Sequence, residues 1–168
     1  PNIQCAKEVL KILNNQKVKN IPVIIDPIIN SGSGKKLVTD NNLKFLIKKV
    51  YPLGDLLTPN IDEYKKIEKI IEKDSASNIL ITNFNTNKKS ITLKLIKNNS
   101  TIEKSFVIKR FNKVYHGTGC TFSTAIACNI GLKKDIDKSI QTALKYMKKV
   151  ITSSTIIGKK QSFLNRNF

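Results

Sequence analysis

Ile21-Pro22-Val23-Ile24-Ile25-Asp26-Pro27 is a short apolar run, rich in β-branched side chains and closed by a turn. Without polar alternation, it predicts a strand buried on both faces, as in a parallel sheet. Asp55-Leu56-Leu57-Thr58 repeats the pattern and also ends in a turn pair, Pro59-Asn60; Asn78-Ile79-Leu80-Ile81 is a third such run. Helical periodicity fills the intervals. Residues 3–15 bring Ala6, Val9, Leu10 and Leu13 to one side. Thr39 or Asp40 caps a second helix with Leu43, Leu46, Ile47 and Val50 on one face, and a third carries Ile61, Tyr64, Ile67 and Ile71. Helices alternating with short apolar strands predict right-handed crossovers and an α/β fold, a mostly parallel sheet between helix layers.

Two alternating strands, 91–96 and 102–108, joined by Lys97-Asn98-Asn99-Ser100, read as a hairpin. An apolar helix from Phe122 to Ile130 follows. An amphipathic one, from about Asp135 to Ile151, has Ile136, Ile140, Ala143, Leu144, Met147 and Val150 on one side. Cys128 sits mid-helix and is expected in the core, and Tyr64 and Tyr146 are expected to pack rather than stack on a ligand.

At 168 residues the chain suits one domain over 1–168. No apolar run reaches the ~18–20 residues of a membrane span. The net charge of +18 invites a polyanion reading, but of 30 basic residues only Arg110 and Arg166 are arginines, and the lysines are dispersed. Arginine forks onto phosphate and guanine, so the charge reads as solvated lysine and no nucleic-acid partner is expected. Cys5, Cys120 and Cys128 fit no disulfide framework or zinc spacing, and His116 is the single histidine. A cytoplasmic setting is expected.

Ligands of parallel α/β sheets sit at the carboxyl ends of strands. Asp26, Asn60 and the turn His116-Gly117-Thr118-Gly119-Cys120-Thr121 are expected at such ends. The two glycines of that turn let backbone approach a ligand closely. The first-turn N–H groups of the following helix, with its dipole, make an anion site. A cysteine at a helix N-terminus is suited to accept a proton. A glycine-rich turn that merely caps a helix is the plain alternative. Asn60 and Glu63 have the spacing of a capping box, which competes with any ligand role.

Read together, the segments resemble the hydroxymethylpyrimidine/phosphomethylpyrimidine kinases of the ribokinase-like superfamily. The resemblance rests on four motifs in order. His116–Ser123 is similar to the family's GTGC signature, Asp26-Pro27-Ile28-Ile29 with Ser33-Gly34 to its DPV and SG motifs, and Thr58–Glu63 to TPNxxE. Ser153–Gly158 resembles the close of some members. The resemblance implies a three-layer α/β/α ribokinase-like fold and ATP-dependent phosphorylation of hydroxymethylpyrimidine and its monophosphate, on the way to thiamine diphosphate. ATP and Mg²⁺ are the implied cofactors. Gly117, Thr118 and Gly119 would form an anion hole, and Cys120 would deprotonate or orient the attacking oxygen. Asn60, Glu63 and Asp26 would serve the Mg²⁺ nucleotide, with Glu63 and Asp26 nearest the metal.

Departures accompany the likeness. Thr82-Asn83-Phe84-Asn85 stands where members read KGGH, Gly32 replaces a lysine, and Gly158-Lys159-Lys160-Gln161 replaces a glycine-rich ending. The chain begins at about the helix before the DPV strand, so the C-terminal part of the fold is expected, with one sheet edge unpaired. Beside the small-molecule substrate, the expected partner is a second copy in a homodimer or a separately encoded N-terminal piece. The rival readings are a pyridoxal kinase of the same superfamily, a basic polyanion-binding domain, or a decayed remnant.

Overall fold

Short apolar strands and capped helices alternate through the first two thirds of the chain in the computed structural model. It describes residues 2–32, 34–71, 77–97, 103–111, 113, 115–157 and 161–167. The elements are α1 (Ile3–Leu13), β1 (Ile24–Ile25), α2 (Asp40–Phe45), β2 (Leu56–Leu57), α3 (Ile61–Ile67), β3 (Asn78–Thr86), β4 (Ser90–Ile96), β5 (Glu103–Lys109), α4 (Thr118–Gly131), α5 (Ile136–Thr152), β6 (Thr155–Ile157) and β7 (Gln161–Phe163). They fall into two compact units, 1–107 and 108–168.

In the first unit the sheet runs β1-β2-β3-β4-β5. β1 pairs parallel with β2 and β2 with β3, through Ile24↔Leu56 and Leu56↔Asn78. β4 joins β3 antiparallel, so the sheet is mixed, its parallel part being the α/β portion expected from the sequence. Leu56, Leu57, Leu80 and Leu95 are fully buried, and the core continues through Ile29, Leu43, Ile47, Val50 and Ile67. Each such side chain stabilises the fold by ~1.5–3 kcal/mol relative to exposure.

The first strand is shorter and less buried than the sequence predicts. Only Ile24 and Ile25 are in the ladder, both half-buried, and Ile21 is 57% exposed. The reason is position: β1 is the outermost strand with a neighbour on one side alone, and its ladder register covers just the two residues opposite Leu56 and Leu57. The second helix caps on Thr39 as expected, but turns to π geometry over Leu46–Val50 and to a 3₁₀ turn over Tyr51–Leu53. α3 stops at Ile67, so Ile71 packs against the core from beyond the helix. The hairpin turn 98–100, with Ile102, Ser33 and 158–160, lies outside the described residues.

In the second unit α4 and α5 pack together, burying Phe122, Ile126, Ile140, Ala143, Met147 and Val150. β6 and β7 form a small antiparallel pair. Cys128 corrects its expectation: it is exposed. Ile126 faces the core, and a residue two positions on stands ~200° around the helix.

Candidate active site

The site residues of the first unit are set by the ends of β1 and β2. Thr58 follows β2, and its N–H donates to the Ile25 carbonyl at 3.0 Å. The Pro59 carbonyl accepts from the Thr82 N–H at 2.8 Å, which ties the chain to β3 just before α3 begins. Asn60 then caps α3: its side-chain oxygen accepts from the N–H groups of Asp62 and Glu63 at 3.0 and 2.9 Å. Glu63 returns the bond, Oε2 accepting from the Asn60 N–H at 2.9 Å, so the capping box is complete. Its other oxygen accepts from the Ile29 N–H at 3.3 Å. Glu63 thereby links the start of α3 to the loop that follows Asp26.

That carboxylate is buried. Burial pushes the Glu63 carboxyl above the usual carboxylate range, against the two backbone bonds, and the charge of Asp26 adds to the rise. Burial also pushes the Tyr51 phenol up, with smaller contributions from Glu63 and Asp26. Two carboxylates that oppose each other's ionisation form a donor set that a divalent cation relieves. Mg²⁺ takes one or two carboxylates from a protein and completes its shell with water and phosphate oxygens, so the residues present fit it. Among the described residues, no group of three or more His, Cys, Asp or Glu side chains is arranged for a metal.

In the second unit the glycine-rich turn behaves as its composition demands. Gly117 is the N-cap of α4 at φ 75°, in the left-handed region that glycine tolerates. It brings no side chain to close the first turn. The other α-helices are closed by Asn2, Thr39, Asn60 and Asp135. Thr118, Gly119 and Cys120 occupy the first turn, where backbone N–H groups have no intrahelical acceptor. Cys120 is exposed there. The turn does not directly follow a strand of the five-stranded sheet. β5 ends at Lys109, and the nearest pairing is an isolated bridge, Tyr115↔Ser162.

Two residues of the turn's setting had no role in the sequence reading. The Thr121 hydroxyl donates to the Gly117 carbonyl at 2.7 Å, and Arg166 donates to Thr121 through Nε and Nη2 at 3.1 and 3.0 Å. An open cavity of about 660 Å³ beside the turn is lined by Cys120, Thr121, Thr124, Cys128, Tyr146 and Arg166, among others. Arg166 is distant in sequence and its one signal is rarity, since the chain has only two arginines.

A hydroxymethylpyrimidine/phosphomethylpyrimidine kinase from Aquifex aeolicus is 29% identical over 171 residues, covering 94% of this chain and 66% of that protein. A bifunctional thiamine biosynthesis protein from Methanocaldococcus jannaschii is 33% identical over 145 residues, covering 86% of this chain and 33% of that protein. The chain thus spans less than two thirds of the length of these curated relatives. Among solved structures, an ADP complex of a Bacillus subtilis pyridoxal kinase superposes with a TM-score of 0.80 at 18% identity, covering 99% of this chain and 67% of that one. A phosphomethylpyrimidine kinase from Clostridium difficile gives 0.64 at 24%, covering 85% and 63%. These likenesses show the fold, which is the ribokinase-like α/β fold. The family model described as phosphomethylpyrimidine kinase matches residues 2–165, and the chain belongs to that family.

Proposed function

We propose that this chain is the C-terminal part of one kinase domain that transfers the γ-phosphoryl group of ATP to hydroxymethylpyrimidine and its monophosphate, in the cytoplasm. The observation that carries the proposal is the open first turn of α4. Gly117 caps that helix in a left-handed conformation without a capping side chain, which leaves the start of α4, with its outward N–H groups and dipole, to face an oxyanion. Phosphoryl transfer asks a protein mainly for positioning and charge stabilisation, and this turn supplies both.

The roles follow from the chemistry of each group. Gly117, Thr118 and Gly119 line the anion hole through backbone. Cys120, exposed at the third helical position, takes the proton from the attacking oxygen as its thiolate, or orients that oxygen. Glu63 and Asp26 would hold Mg²⁺, and Asn60 fixes Glu63 through the capping box. Bound Mg²⁺ would neutralise charge on the phosphates. The cavity along α4 and α5 is of a size to receive the nucleotide.

The test is a thermal melt with and without Mg-ATP, with tripolyphosphate and duplex DNA as polyanion controls. A stabilisation specific to Mg-ATP, growing with concentration as linkage requires, supports the reading. Equal shifts with every polyanion refute it in favour of non-specific charge. Turnover of hydroxymethylpyrimidine against pyridoxal then fixes the substrate, and preference for pyridoxal would transfer the proposal to the second vitamin.

A further inference from the structure

The parallel part of the sheet stops at β1 with its outer side open. Val23 and Ile25 turn their carbonyls toward β2, accepting from the N–H groups of Asp55 and Thr58 at 2.8 and 3.0 Å. Backbone alternation therefore turns the N–H and C=O of Ile24 to the free side. The opposite edge is β5, where Lys104 and Lys109 supply the charges that discourage strand addition. Val23-Ile24-Ile25 carries no charge, and it is half-buried where Leu56 and Leu57 of β2 are fully buried. Helix α1, which leads toward β1, repeats the imbalance. Ala6, Leu10 and Leu13 recur at i, i+4 and i+7; Ala6 is buried and the two leucines pack against the core. Gln4, Glu8 and Lys11 form a second stripe at the same spacing, bonded to one another in solvent at 3.3 and 2.8 Å. Cys5, Val9 and Ile12 form a third, apolar and uncovered: Val9 is 45% and Ile12 60% exposed.

What covers this side follows from topology and length. α1 packs against Leu46–Val50, the segment that leads toward β2, as a crossover helix of a parallel sheet does. A helix feeding a parallel strand is half of a crossover unit whose other strand lies beside the first, and no described residue supplies that strand. The Bacillus subtilis structure takes up 99% of this chain, yet is matched over 67% of its own length. The Aquifex aeolicus kinase is matched over 66%. The unmatched part of each has to pack on the rest, and the uncharged edge with its apolar stripe is where the sheet can grow. We infer that the free edge of β1, with the Cys5–Val9–Ile12 stripe of α1, receives a strand parallel to β1 from the part of the kinase fold that the relatives possess and these 168 residues do not. The inference rests on reading this chain as part of one kinase domain.

The test mixes the purified chain, without nucleotide, with a polypeptide made of the Aquifex aeolicus residues outside the match, and reads sedimentation and backbone amide exchange by NMR. Association is expected, with exchange of the Ile24 amide slowed about tenfold or more and that of the interior Leu56 unchanged. Val9→Lys combined with Ile12→Lys, both at exposed positions, should leave the melt of the free chain in place. It should weaken association about tenfold or more, the scale of one buried aliphatic side chain. Ile24→Pro removes the outward N–H and should abolish association. Val107→Lys, on exposed β5, should change nothing. Protection of the Ile24 amide decides if a variant fails to fold. No association, association that leaves Ile24 exchanging freely, or affinity untouched by the α1 variant overturns the inference. So does a chain that dimerises by itself with Ile24 protected, since the occupant is then a second copy. A complex with Ile24 protected that Mg-ATP stabilises no more than tripolyphosphate does supports the inference and overturns the kinase reading. Stabilisation specific to Mg-ATP in a chain that does not associate overturns the inference and leaves the kinase reading standing.

Discussion

Replacing Glu63 by glutamine keeps the side chain's shape and removes its charge, and it tests both the local packing and the metal proposal. The carboxylate accepts from two backbone N–H groups, Asn60 at 2.9 Å and Ile29 at 3.3 Å. A carboxamide has one oxygen, so one of those N–H groups must face an NH₂ group. If the oxygen stays on the shorter bond, the Ile29 N–H loses its acceptor. A buried donor left without a partner costs ~1–3 kcal/mol, and because the lost bond is the longer one we expect ~1–2 kcal/mol. The pH dependence has a definite sign. Burial, with Asp26, raises the folded-state Glu63 carboxyl above its ordinary value. The folded protein then holds that proton more readily than the unfolded chain, so its stability contribution is greatest at low pH and falls as pH rises through the carboxylate range and just above it. Glutamine has no such titration. Urea unfolding of both proteins from about pH 4 to about pH 8 should therefore show the wild-type advantage shrinking as pH rises. A difference that grows with pH would mean that Glu63 is held as a stabilised anion and would refute the reasoning. Saturating Mg-ATP should flatten the slope in wild type if Glu63 serves the metal.

Other expectations concern single positions. Gly117→Ala forces a Cβ into a left-handed residue and against Nη2 of Arg166 at 3.1 Å; a loss of at least ~1–2 kcal/mol is expected in denaturant unfolding, and an unchanged midpoint would contradict the geometry. Asn60→Ala removes the acceptor for two N–H groups at the start of a seven-residue helix, and should lower stability by ~1 kcal/mol. In a complete enzyme that carries this segment, Cys120→Ala should reduce Mg-ATP-dependent turnover ~10²–10⁴-fold with nucleotide affinity nearly retained, and full turnover would remove the thiol from the mechanism. Cys5, Cys120 and Cys128 are all exposed, so a thiol reagent should titrate each in the native protein; slow reaction at Cys128 would return it to the core.

Much of this architecture is legible in local pattern. The runs at Leu56-Leu57 and Ile79-Leu80-Ile81 are too apolar to lie anywhere but inside a sheet, and the Asn60–Glu63 spacing announces its capping box. What local pattern misses has identifiable causes. The apolar run of the third strand stops at Ile81, yet β3 continues through Thr82-Asn83-Phe84-Asn85 to Thr86 because β4 lies alongside. The register shifts between Ile81 and Asn85, and Asn83 takes φ 53° within that irregularity, a conformation asparagine tolerates better than most residues. Cys128 is misjudged because α4 carries no charged residue and buries Thr121 and Ser123 beside Phe122 and Ile126, so composition does not reveal its outward face. Arg166 meets Thr121 across 45 residues of sequence, and no short-range signal reports such a contact.

The two links that frame the α4 turn, Tyr115 with Ser162 and Thr121 with Arg166, also order events in time. At ~5–20 residues per second of synthesis, the 45 residues between Thr121 and Arg166 take a few seconds to appear. Helix α4 can form within microseconds of emerging, but the turn at its head waits for partners not yet made. Through that interval the nascent chain carries a glycine-rich hinge in place of a fixed turn. The links that fix the head of α4 are therefore completed only after the helix they frame.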